Sequence, residues 1–140
     1  MARKKRNQFD VDEIYRGLRT NIEFSQMDDA IQVINVVSTI PNEGKSTIAC
    51  NLARIMAAKY KNVLLIDCDA RSAIQIYLNI EHPKNIYNLI TDNYNYSDVN
   101  IEDYITTKNG LDIIISTPFL SKLDYFFEIE NNDKQGIFYS

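Results

Sequence analysis

Residues 36–47 read VVSTIPNEGKST, an apolar pair running into a loop that closes on Gly44-Lys45-Ser46-Thr47. A nucleoside triphosphate is held by backbone N–H groups converging on its phosphates, and glycine at 44 removes the Cβ that would keep the backbone away. Lys45 then reaches the β- and γ-phosphates as a point charge. The Ser46 hydroxyl completes a Mg²⁺ site, and a helix starting there turns its positive end toward the anion. Pro41, Asn42, Glu43 and Thr47 supply the rest of the cradle.

The usual pattern, G-x-x-x-x-G-K-[ST], asks for glycine at 39, where this chain has Thr39. The flanks restore the assignment. Upstream, Val33, Ile34, Val36 and Val37 form a buried-strand pattern; downstream, Ile48, Leu52, Ile55 and Met56 recur at helical spacing with Ala49, Ala53 and Ala57 between them. The plain alternative is an ordinary turn with Gly44 as its turn residue and Lys45 as a solvated charge. Strand, loop and helix in the required order weigh against it.

Residues 63–66, VLLI, form another short apolar strand, which ends in Asp67-Cys68-Asp69-Ala70-Arg71. Open α/β sheets bind ligands at the carboxyl ends of their strands. Positions 67 and 69 are two apart, so in extended backbone both carboxylates point to one side, placed to hold Mg²⁺ directly or through its waters. Asp67 is also the candidate to accept a proton from an incoming hydroxyl. An Asp at a strand end is by itself a common turn former or cap; the phosphate loop upstream favours the metal-binding reading.

Three stretches, EIYRGLRTNIEFS at 13–25, S-x-x-P-x-E-G-K-S-T at 38–47 and LLIDCDAR at 64–71, together resemble the bacterial tyrosine kinases of capsule and exopolysaccharide synthesis. The similarity continues through GLDII at 110–114 and so covers nearly all of the chain after residue 10. The resemblance makes the loop a Walker A motif and D-x-D-x-R a Walker A′ motif. It implies that Lys45 and Ser46 contact phosphate and Mg²⁺, that Asp67 and Asp69 are the A′ carboxylates, and that Arg71 belongs to the nucleotide site. It implies ATP and Mg²⁺ as cofactors, protein tyrosines as acceptors, and the cytoplasmic tail of a membrane adaptor as activator. Glu13, Arg16 and Arg19 match the family's E-x-x-R-x-x-R element, which implies subunit contacts in a ring.

That element also makes sense unaided. On a helix, positions 13, 16 and 19 drift slowly round one face while Ile14, Leu18 and Ile22 line another. The apolar stripe is expected to pack on the body and the charged stripe to meet a neighbour. The bland alternative is a solvated face with intrahelical Glu–Arg pairs worth a few tenths of a kcal/mol each.

With 140 residues, 45% of them hydrophobic and 24% charged, the chain suffices for one core. Cys50 and Cys68 suit reduced thiols in a reducing compartment better than a disulfide framework. No apolar run approaches the ~20 residues of a membrane helix, and no charged-then-apolar leader opens the chain. A cytoplasmic protein is expected, recruited to the inner face of the membrane only through a partner. The net charge of −4 argues against a nucleic-acid binder. Arg3-Lys4-Lys5-Arg6 reads as a solvated tail, so residues 1–9 are set apart as a basic, flexible N-terminus from a P-loop domain over 10–140. His82, the only histidine, precedes Pro83 in a loop and receives no role.

Further along, 74–78 and 85–92 are expected to be short helices, 93–98 a polar loop, and 101–105 a third helix. The family's phosphorylated tyrosines cluster at the C-terminus, where this chain has only Tyr139. Kinases of this type continue to an apolar strand ending D-x-P-P, the Walker B element, which this chain does not contain; residues 113–118, IIISTP, place Ser116 where an Asp would stand or form the preceding strand. Residues 120–128 look like the start of a helix and 131–140 like an arbitrary ending. The expected fold is therefore an α/β P-loop NTPase with a doubly wound, mostly parallel sheet and helices on both faces, incomplete at its C-terminal end. The expected function is an ATP-dependent protein-tyrosine kinase. A nucleotide-binding pseudoenzyme that assembles with kinase partners is the main alternative. A partitioning ATPase is disfavoured because its extra loop lysine is replaced by Ile40.

Overall fold

The computed structural model describes residues 2–25, 31–96 and 98–138. Helix α1 spans Ala2–Phe24 and helix α2 spans Lys45–Ala57. The apolar spacing after the loop folds as expected, with Cys50, Leu52, Ile55 and Met56 of α2 buried and Ile48 left partly exposed. At ~1.5–3 kcal/mol per buried aliphatic side chain, this face outweighs any surface ion pair. Asn51 is accepted in the same face because its Nδ2 donates to the Thr47 carbonyl at 2.8 Å.

α1 lies against α2 through a largely polar seam. Arg54 donates to the Asp12 carboxylate, Arg19 Nη1 donates to the Ile55 carbonyl at 3.1 Å, and Glu23 accepts from Lys59 Nζ at 2.8 Å and from the Tyr60 hydroxyl at 2.6 Å. Positions 12, 15, 19 and 23 recur at three- and four-residue spacing and share one face. The last turn of α2 presents carbonyls that need donors, and Arg19 supplies one. This overturns the expected orientation in part: Ile14 is 69% exposed and Leu18 37%, Ile22 alone of the apolar stripe is half-buried against the body, and the face carrying Arg19 meets α2. The backbone of residues 2–9, expected as a flexible tail, is helical.

The chain divides into two compact units. One holds the chain up to Leu65 together with Thr107–Asp112; the other holds Ile66–Thr106 and the chain from Ile113 on. In the second, α3 (Ala73–Leu78), α4 (Ile86–Asn95), two 3-10 turns (Ile101–Tyr104 and Pro118–Lys122) and α5 (Leu123–Phe138) accompany a core of Ile74, Ile86, Tyr104, Ile113, Ile114 and Ile115. A reciprocal cap starts α4. Asn85 Oδ1 accepts from the Tyr87 and Asn88 N–H groups, and Asn88 Oδ1 accepts from the Asn85 N–H. Tyr94 sits edge-on to Phe126 and Phe127, with centroids 5.8 and 5.4 Å away, tying α4 to α5. Helix α5 continues the helix expected from residue 120 through to Phe138. Ser97, within the expected polar loop, and Tyr139 lie outside the described residues.

Three short strands, β1 (Leu64–Ile66), β2 (Thr106–Lys108) and β3 (Leu111–Ile114), form a sheet in the order β1-β3-β2. Asn109 and Gly110, at φ 53° and 77°, make a two-residue turn between β2 and β3, the positive-φ geometry of a hairpin. The Thr107 hydroxyl donates to Asp112 Oδ1 at 2.6 Å across it. The strand expected at 33–37 is not formed: residues 31–38 belong to no helix or strand, with Val33 76% and Val37 84% exposed. A strand exists through its ladder, and among the described residues none pairs with this segment. The α/β character stands, but the sheet is smaller than the doubly wound, mostly parallel one expected.

Candidate functional site

The loop before α2 is built for an anion. Gly44 adopts φ 82°, ψ 18°, the left-handed conformation glycine takes without penalty, and Asn42 shares it at φ 63°. Glycine at the N-cap offers no side chain, so no side-chain cap competes for the first-turn N–H groups of α2. A Cβ built at 44 meets nothing within 4 Å, which leaves open space beside that backbone. Lys45 folds back over the loop, its Nζ 2.9 Å from Ser38 Oγ, while Ser38 Oγ donates to the Ile40 carbonyl at 2.9 Å. Pro41, Asn42, Glu43, Gly44 and Thr47 are exposed; Lys45 and Ser46 are half-buried. These residues fit a polyphosphate: first-turn donors without a side-chain cap, a lysine on a hydroxyl it can exchange for a phosphate oxygen, and no bulk in the way.

Asp67, Asp69 and Arg71 belong to the second unit, and the loop to the first. The extended backbone that would aim Asp67 and Asp69 together does not persist, because β1 ends at Ile66. Asp67 is 2% exposed and turned onto the backbone, where Oδ1 accepts from the Asp69 N–H at 3.0 Å and Oδ2 from the Ile74 N–H at 3.4 Å. Burial pushes its carboxyl above the ordinary range, against the lowering pull of those two donors, and the charge of Asp69 adds to the rise. Asp69 is engaged by Arg71, whose Nη2 lies 2.6 Å from Asp69 Oδ2. Between them sits Cys68, an exposed free thiol whose pKa is raised chiefly by desolvation and also by the charge of Asp67. Among the described residues, no group of three or more His, Cys, Asp or Glu side chains is assembled to hold a metal ion.

The E-x-x-R-x-x-R residues separate. Arg16 Nη1 pairs with Glu13 at 3.3 Å on an exposed face, whereas Arg19 is spent on the Ile55 carbonyl and lies 3.7 Å from Glu23. Two partners went unread as site residues. Ser38 holds the loop lysine, and Asp12 anchors α1; the polar residue opening the loop and the acid immediately before Glu13 were the available signals. Ser72 and Ser116 are both 2% exposed, and their hydroxyls have no hydrogen-bond partner among the described residues.

The AAA domain family matches residues 31–139. The tyrosine-protein kinase YwqD of Bacillus subtilis is 51% identical over 59 residues, covering 42% of this chain and 25% of that protein. The tyrosine-protein kinase CpsD of Streptococcus pneumoniae is 32% identical over 106 residues, 71% of this chain and 46% of that protein. The chain belongs to the AAA domain family, and within it is similar to bacterial tyrosine-protein kinases. It spans a quarter to just under half the length of these two relatives. No solved structure matches significantly. As a member of an AAA-domain family the chain is of the P-loop NTPase class, which implies nucleotide binding. No described helix is long and apolar enough to cross a membrane.

Proposed function

We propose that this chain is the nucleotide-handling part of an ATP-dependent protein-tyrosine kinase acting in capsule or exopolysaccharide biosynthesis. The observation that carries the proposal is the uncapped loop at Gly44, with Lys45 held over it by Ser38. In the first unit the first-turn N–H groups and Lys45 bind and orient phosphate oxygens and the Ser46 hydroxyl is a donor for Mg²⁺; in the second, Asp67 and Asp69 are candidate carboxylate donors. When bound, the ion supplies charge neutralisation on the phosphates. Asp67 takes the proton of the acceptor phenol, a role its raised pKa suits because a base works best when its pKa approaches the working pH. Arg71 keeps Asp69 in place. The acceptor is a protein tyrosine, and the activator is the cytoplasmic tail of a membrane adaptor, which would bring the protein to the inner face of the membrane. Self-association uses the exposed part of α1, with Glu13 and Arg16 facing outward.

Replacing Lys45 by Ala tests the site. Removal of a charge-assisted contact of ~1.5–3 kcal/mol weakens Mg-ATP or Mg-ADP binding roughly tenfold or more in a fluorescent-nucleotide titration. Equal affinity in the two folded proteins would overturn the assignment. Phosphotyrosine formation with labelled ATP and an adaptor tail then separates a kinase, which labels, from a binding-only relative, which titrates but does not.

A further inference from the structure

Thr47, Asn51 and Arg54 follow one another at four- and three-residue spacing, so they share one face of α2 from its first turn toward its last. Within the first unit that face carries a relay of hydrogen bonds. Asn51 Nδ2 donates to the Thr47 carbonyl at 2.8 Å, Arg54 Nη2 donates to Asn51 Oδ1 at 3.4 Å, and Arg54 donates through both Nη atoms to the Asp12 carboxylate of α1. The relay joins the residue that closes the phosphate loop to an acid on another helix.

Chemistry fixes the order of its members. Arg54 can only donate and the Thr47 carbonyl can only accept, so both neighbours demand the same orientation of the Asn51 amide. Turned the other way, the amide would set oxygen against oxygen at Thr47 and donor against donor at Arg54. Asn51 is 9% exposed, which leaves little water to relieve such a mismatch. The Arg54 side chain is 41% exposed and could turn to solvent; the Asp12 side chain, at 19%, holds it on the stripe. The guanidinium charge strengthens the bond to Asn51 and polarises the amide in turn. The first turn of α2 is where the phosphate donors lie. Fixed at the Thr47 carbonyl, that turn presents its N–H groups already ordered, and the ligand does not have to order them on binding.

We propose that Asp12 and Asn51 are positioning residues for the phosphate loop: Asp12 holds Arg54, Arg54 orients the Asn51 amide, and that amide fixes the first turn of α2. The proposal rests on phosphate binding by the loop. Arg19, which meets the Ile55 carbonyl at the other end of α2, stands outside the relay.

The test titrates fluorescent Mg-ADP into the full chain and into Asp12→Ala, Asn51→Ala and the double variant, with Arg19→Ala as the control that loosens α1 elsewhere. Each single variant is expected to weaken binding about fivefold, the low end of couplings between sites. The double variant should lose no more than either single one, because both changes break the same relay. In the nucleotide-free protein, Asp12→Ala and Asn51→Ala should also speed hydrogen exchange at Ile48, whose N–H donates to the Gly44 carbonyl at 2.9 Å. Arg19→Ala should change neither reading. Unchanged affinity in Asp12→Ala, unchanged exchange at Ile48, or losses that multiply in the double variant would each overturn the positioning role. An equal loss of affinity in Arg19→Ala would also overturn it, since general loosening of α1 would then be the cause. If Asn51→Ala does not fold, Asp12→Ala against Arg19→Ala still decides. No binding by the parent would overturn the loop reading and this proposal together; binding that Lys45→Ala weakens and Asp12→Ala does not would overturn this proposal alone.

Discussion

Asp67 shows how one side chain serves structure and chemistry at once. Its two oxygens accept N–H groups from the turn at Asp69 and from Ile74, the turn-forming role that any strand-end Asp can fill, and the resulting burial raises its pKa. A carboxyl raised on folding holds its proton better in the native state. Its stabilising contribution is present below the unfolded value of ~3.9 and is lost as pH rises through the higher folded value. Asp67→Asn keeps the Oδ1 acceptor and cannot ionise. Calorimetry from mildly acidic to neutral pH should show a flatter dependence of stability on pH in the variant, with a pH-independent loss of ~1–3 kcal/mol because the amide nitrogen cannot accept from the Ile74 N–H. A slope identical in both proteins would show that Asp67 does not titrate in this window. Gly44 is the contrasting residue: its role at φ 82° is legible from its type, because few other residues accept that backbone.

Among the elements, α1 departs most from its pattern. Ile14, Leu18 and Ile22 mark an apolar stripe, yet Arg19, Asp12 and Glu23 set which face meets α2, because the end of α2 and the residues just after it offer carbonyls and cations that those side chains satisfy. Arg19→Ala should therefore speed hydrogen exchange along α1 and leave nucleotide affinity unchanged. Arg16→Ala removes only an exposed pair worth ~0.2–0.5 kcal/mol and should leave α1 exchange as it is. If Arg16→Ala lowers self-association in sedimentation velocity while Arg19→Ala acts through α1 order, the two arginines have separate roles. If both variants exchange alike, the Arg19 contact does not hold the helix. In β3, Ile113 is 0% exposed, so Ile113→Ala should cost ~2–5 kcal/mol in chemical denaturation. A cost under ~1 kcal/mol would place Ile113 outside the core.

For the molecule as a whole, charge and exposed apolar surface act in opposite directions. The net charge of −4 and a pI near 4.9 keep copies apart at neutral pH, while Phe24, Val33 and Val37 are each more than three-quarters exposed. Turbidity should rise steeply as pH falls toward 4.9 and reverse on returning to neutrality. A flat turbidity profile across that range would show that charge does not control association.

The loop at 38–47 and the helix after it are local: each depends on residues within a few positions, and their residue types determine them; the Asn109-Gly110 turn and the Asn85 cap are equally local, though no expectation rested on them. The class of the protein followed from the same local strings. Three things depended on what lies across the chain. Residues 31–37 have strand composition but no strand, because a ladder needs a partner that composition does not name. The face of α1 that packs was settled by the end of α2 and the short segment after it, where donors and acceptors at residues 54, 55, 59 and 60 select Asp12, Arg19 and Glu23 over the apolar stripe. Asp67 and Asp69 have the right spacing for one face, but β1 stops at Ile66, and the turn that follows sends one carboxylate onto the backbone and gives the other to Arg71. Side-chain types and their spacing travel with the sequence; pairing and burial are set by neighbours that only folding brings into reach.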